Sequence, residues 1–201
     1  MANAADDSTR RDFASYYDGV EGRPSRPTLI QAAVAFERPG FAVDLGCGDG
    51  RDTIELLRRG WRVLAIDASE EGIRRLKARP DLASDGGLET RVARIEETDW
   101  PPAELINASF VLPLLAPDAF ARVWRRIGER LTSGGRFAGQ LFGPRDGWAS
   151  RPGLTIHDRA EIERMVSVYC IERFDETETD EPTARGKPKH WHVFHLVLRK
   201  S

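Results

Sequence analysis

Short apolar runs alternate with amphipathic stretches through the first two thirds of the chain, and the pattern changes in the last third. Phe41-Ala42-Val43, Trp61–Ile66, Leu88–Ile95, Leu105–Ala108 and Arg136–Phe142 read as strands. Phe41-Ala42-Val43 and Trp61–Ile66 are apolar enough to belong to buried strands. Between them, apolar residues recur at helical spacing. Ile54, Leu56 and Leu57 lie ahead of Gly60, and Ile73 and Leu76 lie between an N-cap Ser69 and Pro80. Phe120, Val123, Trp124, Ile127 and Leu131 follow Pro117-Asp118. Upstream, a short helix carries Phe13, Tyr16 and Tyr17 until Gly22-Arg23-Pro24 and Pro27 break it. Thr28 then caps a second helix, stopped by Pro39-Gly40. Asp85-Gly86-Gly87 and Gly134-Gly135 read as turns. In the last third, a helix over His157–Ser167 precedes strands Val168–Phe174 and Trp191–Leu198. The acidic stretch Asp175–Glu181 and a turn over Pro182–Pro188 join those strands.

Strands alternating with helices imply βαβ units with right-handed crossovers. Two final strands with no helix between them form an antiparallel pair. The expected fold is α/β: a Rossmann-like, doubly wound, mostly parallel sheet with an antiparallel C-terminal edge hairpin, in three αβα layers. Residues 1–12 read as a disordered tail and 13–201 as one domain, with 13–39 an N-terminal helical lid segment. At 201 residues with 40% apolar and 31% charged positions, the chain has the make-up of a soluble globular domain. A net charge of −2 gives no electrostatic reason for a nucleic-acid or anionic-membrane partner. The N-terminal segment lacks the apolar core of a signal peptide, and no run reaches membrane-spanning length. The two cysteines, Cys47 and Cys170, provide no disulfide framework and suit a reducing cytoplasm.

The chemistry concentrates in Val43-Asp44-Leu45-Gly46-Cys47-Gly48-Asp49-Gly50-Arg51-Asp52. A strand runs into a loop of alternating glycines and then directly into a helix, which is the shape of a nucleotide cradle. A dinucleotide fingerprint needs glycine where Arg51 stands. Asp44 and Asp49 would repel a pyrophosphate, so the expected ligand is a nucleoside carrying positive charge. Asp67 ends the second strand about 20 residues beyond the loop, placed to accept hydrogen bonds from ribose hydroxyls. Together, Asp44-x-Gly46-x-Gly48-x-Gly50 and Ala65-Ile66-Asp67 resemble the class I S-adenosylmethionine (SAM)-dependent methyltransferases. The likeness is greatest to small tellurite-resistance-type enzymes, through the glycine loop, the turn Ser133–Phe137 and the closing Val197-Leu198-Arg199-Lys200.

That resemblance implies a methyltransferase using SAM and releasing S-adenosylhomocysteine (SAH), with in-line transfer to a small-molecule acceptor and no metal. A non-catalytic SAM-binding module and a nicotinamide-dependent oxidoreductase are the alternatives. It implies that Gly46 and Gly48 admit the cofactor to the backbone, that Asp44 faces the methionine ammonium and that Asp67 holds the ribose. Cys47, Arg51, Ala68, Ile95, Glu96 and Asn107 complete the expected cofactor set. Arg94 stands where the family places its adenine-binding acid. Position beyond the strand ends selects Ser109, Phe110, Gln140, Arg145 and Trp148 for the acceptor. Asn107-Ala108-Ser109-Phe110 resembles an amino-methyltransferase motif but lacks its prolines. A hydroxyl acceptor needs a base, for which His190, His192 and Tyr17 are the candidates. On a period of two, His190 and His192 share one face of the last strand, and Trp191 and His195 the other. Arg122, Arg125, Arg126 and Arg130 read as a solvated helix face. A monomer or homodimer in the cytoplasm is expected.

Overall fold

A computed structural model describes residues 16–20, 22–82 and 86–201. The expected tail, Phe13 and Asp85 lie outside those residues. Seven strands form one sheet in the order β3-β2-β1-β4-β5-β7-β6. They are β1 (Phe41–Leu45), β2 (Arg62–Asp67), β3 (Leu88–Val92), β4 (Ala103–Ala108), β5 (Leu131–Phe142), β6 (Cys170–Pro182) and β7 (Pro188–Arg199). The first five pair in parallel, and β7 runs antiparallel to both β5 and β6. The expected α/β sandwich and its edge hairpin are therefore present.

Alternation along the buried strands divides the core into two layers. Ala42, Val63, Ala65, Leu105 and Val197 pack beneath helices α1 (Pro27–Val34), α2 (Arg51–Arg58) and α3 (Glu70–Lys77). Val43, Leu45, Leu64, Ile66 and Ile106 face α4 (Pro117–Arg130) and α5 (Arg159–Val166). Ser69 caps α3 by accepting the Gly72 N–H at 3.1 Å, and Asp158 and Glu161 form a reciprocal capping box on α5. No helix among the described residues is long and apolar enough to cross a membrane.

Four details depart from the sequence reading. Thr28 is not the cap of α1: Arg26 holds that position, and Thr28 is buried inside the first turn, accepting from Gln140 Nε2 at 2.8 Å. Leu131 begins β5 rather than closing α4, and Gly134 (φ +75°) and Gly135 form an irregularity inside that strand. Arg126 and Arg130 of α4 are not simply solvated, since they donate to Thr98 O and Asp99 across the adjoining loop. The largest departure is the acidic stretch, which is strand throughout. Thr177 and Thr179 point one way, while Glu176, Glu178 and Asp180 point the other, toward Arg145, Arg159, His190 and His192. Neutralised across the hairpin, these carboxylates do not repel the strand out of register.

β1 and β4 are neighbours at the centre of the sheet, and the chain winds outward from them in both directions. That reversal opens a crevice beyond their carboxyl ends, the ligand position of open α/β sheets.

Candidate active site

A cavity of about 840 Å³ occupies the crevice. This lies in the upper part of the roughly 300–1,000 Å³ spanned by small-ligand sites. Its floor is the β1–α2 loop. Gly46, Gly48 and Gly50 all take positive φ, at +70°, +55° and +85°. The Gly46 and Cys47 amides donate to Ile66 O at 2.8 and 3.1 Å, which folds the loop back on β2. A side chain at Gly46 would meet Val111 at 2.6 Å, and one at Gly50 would collide with Leu76, so neither position tolerates more than glycine.

Four carboxylates line this half of the cavity: Asp44 and Asp67 from strands, Asp49 from the loop and Asp52 from the first turn of α2. Asp44 is buried, accepting from Thr53 Oγ1 at 2.6 Å and Asn107 Nδ2 at 2.8 Å. Burial, with Asp52 as neighbour, raises its pKa above the ordinary carboxylate range. Asp52 accepts the Arg26 N–H at 2.9 Å, Ser109 Oγ at 2.6 Å and Asn107 Nδ2 at 3.2 Å. Asp67 receives the Gly48 N–H at 2.8 Å and the Ser69 N–H at 2.7 Å, and burial raises its pKa too. Desolvation likewise raises Asp49. The upward shifts of Asp44, Asp49 and Asp67 make this half a chemical fit for a cationic ligand. A dinucleotide phosphate would worsen their repulsion.

The opposite half is aromatic. Phe110, Phe142, Trp148 and Trp191 line it, with neighbouring ring centroids 5.8–6.1 Å apart. Behind this wall, Lys189 and Asp146 form a buried ion pair at 2.8 Å, and the ammonium lies 3.3 Å from the Trp191 centroid. Of the 13–39 segment, Tyr16, Tyr17, Val20, Arg23 and Arg26 line the cavity, whereas α1 packs on the sheet. The tip of the β6–β7 hairpin covers the cavity from the other side and meets residues 16–20, where a side chain on Gly19 would strike Ala184 O.

Of the expected cofactor residues, Asp44, Gly46, Cys47, Gly48, Arg51, Asp67, Ala68, Ile95 and Glu96 line the cavity. Asn107 does not reach it; it is buried and links Asp44 to Asp52. Arg94 lines it too and is paired with Glu96. Ser109, Phe110 and Trp148 line the acceptor half, but Gln140 and Arg145 do not. Gln140 is buried, and its Oε1 accepts the Phe110 N–H at 3.2 Å. Arg145 is exposed on the far face, ion-paired with Glu176 and Glu178.

The three proposed bases are displaced by the geometry. His190 and His192 project from the hairpin face turned away from the cavity. His190 bonds Asp180 at 2.8 Å and Glu178 at 3.1 Å, while His192 Nε2 bonds Glu176 at 2.8 Å. Glu176, Glu178 and His192 also lie close enough to converge on one ion, but Arg145 donates to both glutamates. Tyr17 is buried against Gly48 and Gly72 at the glycine loop, its hydroxyl bonded with Ser69. Desolvation and Asp67 push its pKa upward, the wrong direction for a base. The imidazole lining the cavity is His195, whose Nε2 lies 3.0 Å from Thr177 Oγ1. Burial lowers its pKa from 6.5. His195 and Asp52 were the functional positions not selected from sequence. The period of two along β7 already put His195 on the Trp191 face, and Asp52 follows the last loop glycine by two residues.

Residues 42–135, from β1 into β5, match the model of a methyltransferase-domain family. Over that stretch the chain is similar to methyltransferase domains. It is 32% identical over 131 residues to trans-aconitate 2-methyltransferase of Rhodopseudomonas palustris, covering 62% of this chain and 46% of that protein. The chain spans less than half the length of the curated relatives it matches. TehB from Haemophilus influenzae superposes with a TM-score of 0.75 over 92% of this chain and 66% of its own, at 16% identity. SAM-bound magnesium protoporphyrin IX methyltransferase from Synechocystis gives 0.69 over the whole of both chains at 15% identity. At those identities the likeness is one of fold, and the tellurite-type resemblance goes no further than fold. Among class I methyltransferases the cofactor is SAM, which meets the demand of the carboxylate-lined half for a cationic nucleoside.

The Asp44 shift fixes a pH dependence. The group's folded pKa is above its unfolded value, so in the interval between them the folded protein holds the extra proton. Stability from this group therefore declines as pH rises through that interval. A cationic ligand favours the ionised form, so SAH affinity should fall as pH is lowered from about 8 to about 5. Calorimetric titrations across that range should show the fall, and Asp44→Asn should flatten it. A pH-independent affinity would remove Asp44 from the ammonium contact.

Proposed function

We propose that the protein transfers a methyl group from SAM to a small-molecule acceptor in the aromatic half of the cavity. What carries this reading is the division of one cavity into a carboxylate-lined glycine loop and an aromatic chamber with an imidazole. When bound, SAM supplies an activated methyl group on a positively charged sulfur. Asp67 holds the ribose hydroxyls, with its own orientation fixed by the Gly48 and Ser69 amides. Asp44, steadied by Thr53 and Asn107, faces the ammonium. Ile95 and Glu96 border the adenine, and Cys47, Arg51 and Ala68 line its approach. The aromatic wall excludes water and orients the acceptor, and His195 takes the acceptor's proton where it carries one. The hairpin tip and residues 16–20 and 22–26 serve as the lid. A reducing cytoplasm suits the unpaired Cys47 and Cys170, and a monomer or homodimer suffices for this chemistry.

Calorimetry with SAM and SAH tests the reading, and absence of binding by both would overturn it. Asp67→Ala should weaken SAH by about tenfold or more, the loss of roughly one charge-assisted hydrogen bond. An unchanged affinity would reject the ribose assignment.

A further inference from the structure

Charge is divided along the cavity. Asp44, Asp49, Asp52 and Asp67, together with Arg51 and the Arg94–Glu96 pair, lie at the β1–β2 end, whereas Arg23, Arg26, Arg151, Arg185 and Lys187, with Glu181, come from the N-terminal segment, the loop after β5 and the hairpin tip. Arg26 is the informative member. Its guanidinium sits 4.3 Å over the Phe110 ring, and among the described residues no carboxylate lies within ion-pair distance of it. Asp52 is a nearby carboxylate, but its oxygens are taken by the Arg26 backbone N–H, Ser109 and Asn107. Burial lowers the guanidinium pKa to about 10. By contrast, Arg94, Arg145 and Arg159 each hold a glutamate. A half-buried cation left without a counter-ion is costly to the apo fold.

The platform beneath Arg26 is also held in place. Phe110 takes φ +58°, a left-handed conformation that a phenylalanine rarely adopts. Its N–H donates to Gln140 Oε1 at 3.2 Å, and Gln140 in turn donates to Thr28 Oγ1 at 2.8 Å. This relay fixes the Phe110 ring under the guanidinium and beside Phe142 and Trp191.

Resting on the methyltransferase reading above, we propose that the methyl acceptor is an organic anion: a carboxylate on an apolar, ring-bearing body, bound by Arg26 and laid against Phe110, Phe142, Trp148 and Trp191. The anion supplies the counter-charge that Arg26 lacks. The aromatic wall matches the body, and the acidic half excludes the same ligand from the cofactor end. Gln140 is a positioning residue acting through Phe110.

The test is calorimetry on the full chain saturated with SAH, using benzoate and 1-naphthoate against benzamide and 1-naphthamide. The carboxylates should bind at least about tenfold tighter than their uncharged amides. Arg26→Gln should reduce that preference to within about twofold, and Arg26→Lys should restore part of it. Both variants should still bind SAH, which reports their folding. Equal binding of acid and amide, no binding of either carboxylate, or a preference that survives Arg26→Gln overturns the proposal while SAH binding leaves the methyltransferase reading standing. Loss of SAH binding in the unsubstituted chain overturns both.

Discussion

Asp146→Ala should destabilise the protein by about 3–5 kcal/mol, read as the shift in a urea unfolding midpoint. The Asp146 and Lys189 side chains are 0% and 1% exposed, so neither ion has water to fall back on. Asp146 accepts from the Lys189 ammonium at 2.8 and 2.9 Å, the Trp148 N–H at 2.9 Å and the His192 N–H at 3.2 Å. Its removal leaves the buried Lys189 ammonium and His192 N–H, and the partly buried Trp148 N–H, unanswered. The ammonium keeps only the faces of Trp191, Trp148 and Phe142, at 3.3, 4.1 and 4.3 Å, and contacts of that kind are worth about 2 kcal/mol when desolvated. Burial already lowers the Lys189 pKa, and loss of Asp146 lowers it further. The unfolded chain then binds the proton more strongly than the folded one, so the variant should regain stability as pH rises. Lys189→Met combined with Asp146→Ala should cost less than the two single losses summed. A loss below about 1 kcal/mol for Asp146→Ala, the range of an exposed pair, would reject the reading. The rings that cage Lys189 also face the acceptor, so this pair sets the shape of the chamber.

The glycine-loop half of the cavity was legible because it depends on short-range sequence. Asp44, Gly46, Gly48 and Gly50 are consecutive features of one strand–loop–helix unit. Asp67 is fixed to them by parallel pairing of β1 with β2, in which Leu45 lies opposite Ile66. The acceptor half depends on long-range packing that periodicity does not encode. Arg145 follows β5 much as Trp148 does, yet the loop turns its side chain to the outer hairpin face, where Glu176 and Glu178 outcompete the cavity. His190 and His192 were distinguishable from His195 by alternation alone. Which face met the cavity depended on the antiparallel pairing of Gln140 with His195. The acidic strand was obscured because its carboxylates disfavour a strand in isolation. They are tolerated because β7 and neighbouring loops bring two arginines and two histidines to the same face. Thr177 and Thr179, alternating with acids, were the available signal.

His195→Gln should lower kcat for a hydroxyl acceptor by on the order of 10²-fold, the loss expected when a positioned base is removed. Radiolabelled SAM and the acceptor concentration dependence would separate kcat from KM, and SAH affinity should be unchanged. The argument rests on face and protonation together. Pro188, Trp191, Val193 and His195 are the β7 residues lining the cavity, and Arg26 is close enough to act electrostatically on the imidazole. Burial, Arg173 and Arg26 lower the ring's pKa against the opposing effect of Asp175, which favours the neutral, proton-accepting form. As pH falls through that lowered value the ring protonates and the rate should drop, giving an acidic limb in kcat that His195→Gln abolishes. His190→Gln, on the outer face between Asp180 and Glu178, should leave both the limb and the rate in place. An acidic limb that survives His195→Gln, or one removed by His190→Gln, would place the base elsewhere. An acceptor already ionised in the chamber needs no base, so the size of the His195 effect should track the acceptor's own pKa, vanishing for thiolates and persisting for alcohols.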